Sequence, residues 1–262
     1  MRAARPSVTA RWIAAQRARL ADGGSSTPGG DTEAERRLYA GMGRRFVLPG
    51  LAPTGMAART RFIDGEVARA IGQGMEQIVI LGAGYDGRAL RFGGGATRWI
   101  ELDFPATQAD KRRRLAALDV APGQVAYAGV DLMTGDLDAA LAAAGHDAGA
   151  PSLFICEGLM AYLSLEVNAS MCQTMRARAA AGSVLTLNVR VAPDAGAGGM
   201  ALRGVVGSAL KLGGEARRTE FRPGDAEKLM VVTGWRIVRS ARSGGNRLDG
   251  SAHVLLVACE PD

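Results

Sequence analysis

The chain has 262 residues and a formal net charge of +6, and of its 32 basic residues only Lys111, Lys211 and Lys228 are lysines. An arginine excess in an alanine- and glycine-heavy chain reads as codon bias, and with 5% aromatics it lacks the interleaved basic and aromatic face that nucleic acid requires. Cys156, Cys172 and Cys259 are odd in number and lack a Cys-x-x-Cys pair, which argues against a disulfide framework and a zinc site; no apolar run approaches the ~20 residues that span a bilayer.

The first 20 residues carry Arg2, Arg5, Arg11, Arg17 and Arg19 with no acid, a superficial likeness to an organellar presequence. The simpler reading is an amphipathic helix around Trp12 and Ile13. Residues 22–31, "DGGSSTPGGD", are linker chemistry, and residues 31–74 read as further helical pieces broken at "GMGRRFVLPGLAPTG". The last piece, 56–71, sets Phe62, Val67 and Ile71 where a helix can bury them. Residues 1–74 therefore form an N-terminal helical extension that caps the substrate side, and residues 75–262 a second unit.

In that unit strands alternate with helices. Short β-rich runs occupy 77–82, 97–102, 124–129, 152–156 and 183–189. The run Lys111-Arg112-Arg113-Arg114 between the second and third reads as a solvated helix face. The clearest helix starts at Ser164, a cap, with Glu166 in the positive first turn and Val167, Met171, Met175 and Ala179 on one face; Gly182 is expected to end it. Near-continuously apolar strands separated by helices imply a Rossmann-like α/β fold, a mostly parallel sheet covered on both faces with ligands beyond the strands' carboxyl ends. Residues 191–220 are Gly/Ala-rich and read as a lid. A helix over 225–233 closed by Gly234, then strands at 235–238 and 252–258, predict a C-terminal antiparallel hairpin.

The first strand ends in Gly82-Ala83-Gly84-Tyr85-Asp86-Gly87, literally the G-x-G-x-x-G of a dinucleotide turn. Gly82 permits the tight turn, Gly84 a close approach of backbone to ligand, and Glu101 or Asp103 stands about 20 residues on to accept ribose hydroxyls. Asp86 decides between ligands. At ~4 Å and an effective dielectric of 20, a carboxylate facing a pyrophosphate costs several kcal/mol. S-adenosylmethionine has no phosphate and carries a sulfonium and an ammonium. With Asp131 after the third strand and Glu157 after the fourth, the acids favour that cation over NAD.

"VILGAGYDGRALR", "WIELDFPATQADKRRRL", "GVDL" and "LFICEGLMAYLS", in this order and with "AARTRFID" upstream, resemble the leucine carboxyl methyltransferase family of class I S-adenosylmethionine-dependent methyltransferases, bacterial polyketide-pathway members included. The resemblance covers about residues 57–189. It implies that Arg59 holds the cofactor's carboxylate, that Gly82 and Gly84 lie beneath its methionine and ribose moieties, and that Asp103 binds the ribose hydroxyls. It also implies that Asp131 and Leu132 flank the adenine, that Glu157 meets the amino group, and that Tyr162 stands near the methyl-transfer centre.

The expected activity is O-methylation of a small-molecule carboxylate, with S-adenosylhomocysteine (SAH) as product, no metal, and a cytoplasmic location away from membrane and nucleic acid. A homodimer is left open. A carboxylate is ionised at neutral pH and needs no general base, which suits a chain whose histidines are His146 and His253. Tyr162 or Arg61 is placed to orient the acceptor, and Arg203, Lys211, Arg217 and Arg218 to attract it. A phenol or alcohol acceptor, a non-catalytic cofactor-binding protein and an NAD-dependent oxidoreductase remain alternatives.

Overall fold

The structure is a computed structural model that describes residues 5–22, 37–40, 55–118, 125–192, 217–244 and 253–262. The predicted linker beyond residue 22, most of the helical pieces of 31–54, and residues 193–216 of the predicted lid, Arg203 and Lys211 included, lie outside the described residues. In chain order the elements are α1 (Val8–Asp22), α2 (Met56–Gly72), β1 (Gln77–Leu81), α3 (Arg88–Arg91), β2 (Arg98–Asp103), α4 (Pro105–Ala117), β3 (Val125–Gly129), α5 (Leu137–Ala143), β4 (Ser152–Cys156), a 3-10 turn (Met160–Tyr162), α6 (Leu165–Ala177), β5 (Val184–Val191), α7 (Asp225–Val232), β6 (Trp235–Gly244) and β7 (His253–Pro261).

The seven strands form one sheet in the order β3-β2-β1-β4-β5-β7-β6. β1 to β5 are parallel, and β7 runs antiparallel to both β5 and β6. The predicted hairpin is present, with β7 inserted between β5 and β6 so that β6 becomes the edge. β1 is buried at every residue because layers cover both faces. Successive side chains alternate between those layers. Val79, Leu81, Ile100, Leu102, Phe154, Cys156, Leu185 and Leu187 meet Leu141 of α5, Met171 and Met175 of α6, and Leu229 and Met230 of α7. Ile78, Ile80, Trp99, Leu153 and Ile155 meet Ile63, Val67 and Ala70 of α2. The methionine stripe is core, as its spacing predicts.

Some boundaries differ from the sequence reading, each for a tertiary reason. α6 stops at Ala177, and Gly182, with φ +83°, serves instead the turn into β5. There the Ser183 hydroxyl accepts the Ser152 N–H and aligns β5 beside β4. β6 extends to Gly244 because β7 supplies a ladder along its length, interrupted by a register shift between Ile237 and Arg239. On α2 the fully buried apolar residues are Ile63 and Val67, while Phe62 and Ile71 are only partly covered. α7 ends as expected, with Thr233 capping it and Gly234 left-handed at φ +78°.

The basic run on α4 is corrected at its first member. Lys111 is 1% exposed, and its Nζ donates to Glu101 Oε2 and to the Asp86 carbonyl, each at 2.6 Å. Arg113 and Arg114 pair with Asp110, and Arg112 lies over the Tyr127 ring. Lys111 thus ties α4 to β2 and to the turn after β1, and its buried pair is strongly asymmetric. Lys111→Met leaves the Glu101 charge buried without its partner and is expected to destabilise the fold by about 3 to 5 kcal/mol in urea unfolding, most of which the double variant Lys111→Met/Glu101→Leu recovers.

Candidate functional site

The site forms where the parallel strands end. Gly82 and Gly84 are both left-handed, at φ +65° and +53°, conformations that side chains with a Cβ rarely adopt. Space is short as well. A methyl added at Gly82 would stand 3.0 Å from Leu159, and one at Gly84 3.1 Å from Ala10 of α1. Gly87 has a negative φ at the start of α3, so its glycine is incidental. The Gly84 N–H donates to Asp103 Oδ2 at 2.5 Å, and Asp103 Oδ1 accepts the Phe104 N–H at 2.6 Å. Of the two acids considered at the end of β2, Asp103 therefore faces the glycine turn while Glu101 is held by Lys111.

α1 lies against this turn. Ser7 caps it by accepting the Ala10 N–H at 2.9 Å, and the Ser7 N–H donates to Thr107 Oγ1 of α4 at 3.0 Å. Tyr85 donates to Asp110 at 2.5 Å and receives the Arg11 Nε–H at 3.3 Å. Ala14, Leu38, Tyr39, Tyr85 and Leu115 form a small apolar cluster beneath.

Beside the glycine turn is a buried charge cluster. Glu157 Oε2 lies 2.5 Å from Arg17 Nη2 and 2.6 Å from Arg88 Nη1, and Oε1 lies 2.7 Å from Arg59 Nε. Asp86 meets the same Arg88 at 2.5 Å and Arg17 at 3.4 Å. Asp64 of α2 completes it, 2.7 Å from Arg88 and 2.8 Å from Arg91. Asp86 and Glu157 were read from the sequence as open acids facing a cation, whereas here both carboxylates are largely matched inside the protein.

Among the described residues four guanidiniums (Arg17, Arg59, Arg88, Arg91) face three carboxylates (Asp64, Asp86, Glu157), an excess of one positive charge. Burial alone would raise the Glu157 carboxyl, but Arg17, Arg88 and Arg59 outweigh it and hold it well below the usual range. Asp86 is likewise lowered, by Arg88 and Arg17 against burial. Arg59 moves the other way. Burial lowers it and Glu157 raises it, but Glu157 is shared, and Arg17 and Arg88 repel it. Glu157 Oε1 and Arg59 Nε are buried against each other as an ion pair at 2.7 Å, while Arg17 Nε is buried and donates no hydrogen bond among the described residues. One ion pair and one unused donor thus stand together.

The remaining predicted residues border this region. The Val130 N–H donates to the Asp103 carbonyl at 2.8 Å, which sets the end of β3 beside that of β2. Asp131 follows, its Oδ1 accepting the Met133 N–H at 3.0 Å, and Leu132 packs partly buried against the sheet core. Tyr162 is part-exposed in the 3-10 turn. His146 is buried against Phe154 with its Nε2 3.0 Å from the Ser152 hydroxyl, and His253 pairs with Val191 at the start of β7. Arg17, Arg88 and Asp64 escaped the sequence reading. Arg88 carried a signal, a basic residue two positions after the glycine-turn acid; Arg17 resembled any arginine of an amphipathic helix.

The depressed carboxyls fix the sign of a pH effect. A carboxylate whose folded pKa is lowered contributes stability above its unfolded value, about 4, and loses it as pH falls through the folded value. Arg17→Met removes a cation that lowers both Asp86 and Glu157. We expect its acid unfolding, followed by circular dichroism and by Trp12 fluorescence on α1, to begin at higher pH than in the wild type; an unchanged midpoint counts against a cluster shared through Arg17.

A profile of the leucine carboxyl methyltransferase family matches residues 13–176, a stretch that contains Arg17, Arg59, the glycine turn, Asp103, Asp131 and Glu157. A Mycolicibacterium smegmatis relative, provisionally named as an S-adenosyl-L-methionine-dependent methyltransferase, is 41% identical over 138 residues, 52% of this chain and 45% of its own. A Frankia alni relative with the same provisional name is 34% identical over 175 residues, 63% of this chain and 55% of its own. The chain spans about half the length of the curated relatives it matches. Among solved structures, magnesium protoporphyrin IX methyltransferase from Synechocystis PCC 6803 with bound SAH superposes with a TM-score of 0.53 at 14% identity, over 87% of this chain and 93% of that one. At that identity the likeness is one of fold, and the strand order β3-β2-β1-β4-β5-β7-β6 is the class I methyltransferase sheet. Because more than half of the sequence fits the profile and the matched span includes both the glycine turn and Glu157, the chain belongs to the leucine carboxyl methyltransferase family.

Proposed function

We propose that the protein is an S-adenosylmethionine-dependent O-methyltransferase that esterifies a carboxylate of a small molecule, a polyketide or other secondary metabolite. The observation that carries this reading is the buried charged set beside the glycine turn: the Arg59–Glu157 ion pair, whose two members a zwitterion can meet with charges of its own, and Arg17 Nε, which can donate. An α-amino acid group supplies the complement, an ammonium for Glu157 and a carboxylate for the arginines. A pyrophosphate fits poorly. The Gly84 N–H that a dinucleotide turn aims at phosphate is donated to Asp103, itself an anion. The Asp103 carboxylate beside the glycine turn is of the type that accepts ribose hydroxyls, and Leu132 offers adenine an apolar wall.

When bound, the cofactor supplies a methyl group on a positively charged sulfur. The chain's part is to hold donor and acceptor in line and to exclude water. Arg59 and Glu157 fix the amino-acid end, and Asp103 fixes the ribose. Tyr162, at the mouth of the turn after β4, orients the acceptor oxygen through its hydroxyl. A carboxylate acceptor arrives ionised, so no residue has to remove a proton. His146 is tied to Ser152, which suits that division of labour. Three buried thiols, Cys156, Cys172 and Cys259, suit a reducing compartment, and no helix among the described residues is long and apolar enough to cross a membrane. A cytoplasmic enzyme is the reading we adopt.

Isothermal titration with SAH, NAD and 5′-methylthioadenosine in parallel tests the cofactor. SAH is expected to bind, and methylthioadenosine, which lacks the amino-acid group, to bind at least about tenfold more weakly, since a charge-assisted hydrogen bond is worth roughly 1.5 to 3 kcal/mol. Tighter binding of NAD than of SAH overturns the assignment. Tyr162→Phe is expected to lower turnover and leave SAH affinity unchanged; loss of SAH binding instead removes Tyr162 from the acceptor side.

A further inference from the structure

Where β4 ends, the chain leaves the sheet at once. Cys156 pairs with Leu187 in the last register between β4 and β5, and Gly158 follows in the left-handed region at φ +70°. Its N–H has no ladder carbonyl to meet. The side chain of Asn188, the residue after Leu187, supplies the acceptor instead, with Oδ1 2.7 Å from the Gly158 nitrogen. Asn188 is 4% exposed, in a strand whose neighbouring residues Leu187 and Val189 belong to the apolar core. A carboxamide is costly at such a place unless its polar atoms are used, and here the oxygen serves the turn.

The rest of the turn is satisfied from other elements. The Tyr162 N–H donates to the Leu159 carbonyl at 2.9 Å, and Asn168 of α6 donates its Nδ2 to the Met160 carbonyl at 2.9 Å. The Arg218 and Thr219 N–H groups donate to the Ala161 carbonyl at 2.8 and 3.2 Å, and the Thr219 hydroxyl to the Leu163 carbonyl at 2.6 Å. Arg218 contributes its main chain, while its side chain, like that of Arg217, is exposed. The Glu157 carbonyl receives no main-chain N–H among the described residues.

The direction of that carbonyl follows from the peptide that links it to Gly158. In a planar trans peptide the carbonyl and the following N–H point opposite ways. β4 lies between β1 and β5, so an N–H turned to Asn188 of β5 turns the Glu157 carbonyl to the β1 side. There the glycine turn begins. Leu159, the next residue, has its Cδ1 3.0 Å from a methyl placed on Gly82, and Arg59 Nη1 stands 3.9 Å from a methyl placed on Gly158. The carboxylate of Glu157 is already shared by Arg17, Arg59 and Arg88, so the main-chain oxygen of the same residue is the freer acceptor for a ligand's ammonium.

We propose that Asn188 is a positioning residue for the cofactor: by holding the Gly158 N–H it keeps the Glu157 main-chain carbonyl turned to the glycine turn, where that carbonyl accepts the ammonium of the amino-acid end. The inference rests on the methyl-transfer reading above and adds to it the residue that sets the orientation of this peptide. Glycine has no Cβ to oppose rotation, so the peptide before Gly158 keeps its direction through the bond to Asn188. Without that oxygen the buried N–H is left to seek another partner.

The experiment compares calorimetric affinities for SAH and 5′-methylthioadenosine, which lacks the amino-acid group, in the wild type and in folded variants whose circular dichroism matches it. Asn188→Leu, close in shape but without the oxygen, is expected to weaken SAH about tenfold and leave methylthioadenosine within about twofold, the scale of one hydrogen bond to a charged group. Asn188→Ala gives the same comparison where leucine is not accommodated. Asn188→Asp keeps an accepting oxygen and is expected to recover most of the loss. Asn168→Leu removes a buried bond to the same turn on the α6 side and is expected to leave the ratio of the two affinities as in the wild type. An unchanged ratio in Asn188→Leu, a parallel fall for both ligands, or the same change of ratio in Asn168→Leu overturns the proposal, and so does an equal loss in Asn188→Asp and Asn188→Leu. If the wild type binds SAH no more tightly than methylthioadenosine, the assignment of the amino-acid end fails and takes the proposal with it. If the wild type binds no SAH, the cofactor reading fails first.

Discussion

The site depends on one carboxylate that three guanidiniums share. Glu157 is held from α1 by Arg17, from α2 by Arg59 and from α3 by Arg88, so a single residue after β4 joins three helices to the sheet. Taking so many charges out of water is strongly unfavourable unless they satisfy one another. That requirement adds to the apolar packing of these helices in fixing their positions on the sheet. It also leaves a remainder. Arg88 bonds Asp64, Asp86 and Glu157 at once, whereas Arg59 meets the one carboxylate of Glu157 and Arg17 Nε donates to nothing among the described residues, and this less committed part is what a zwitterionic ligand can use.

The sheet makes this cluster possible. Parallel strands end on the same side, so the turn after β1, Asp103 after β2, Asp131 after β3 and Glu157 after β4 come to one edge although up to 75 residues of chain separate Gly82 from Glu157. Continuation of β5 past the level of Cys156, with which Leu187 pairs, sets Asn188 beside Gly158. The buried Lys111–Glu101 pair works from behind the glycine turn. By donating also to the Asp86 carbonyl it steadies the turn from the side away from Arg88.

Much of this was legible in the chain. Strand positions followed from short apolar runs, and β4 has the same limits in sequence and structure. Gly82 and Gly84 were legible because the turn leaves no room for a Cβ, and Asp103 through its distance from them. Less legible were ends set by neighbours. The length of β6 is decided by β7, and the end of α6 by the entry of β5 beside β4, neither of which local propensity encodes.

Charge was the hardest part to read. Local sequence tells that Lys111 and Arg17 are basic, and in a chain with 32 basic residues the default for each is solvent. Coulomb partners are chosen in space, and Glu101 and Glu157 reach these two residues only when α4 and α1 are packed. By itself the sequence determined the alternating architecture, the glycine turn and the family, since these depend on residue types at fixed short spacing. Which acids stay paired inside the protein and which arginines leave water were decided only by the tertiary structure, because the energy of a buried charge depends on what surrounds it and not on its neighbours in the chain.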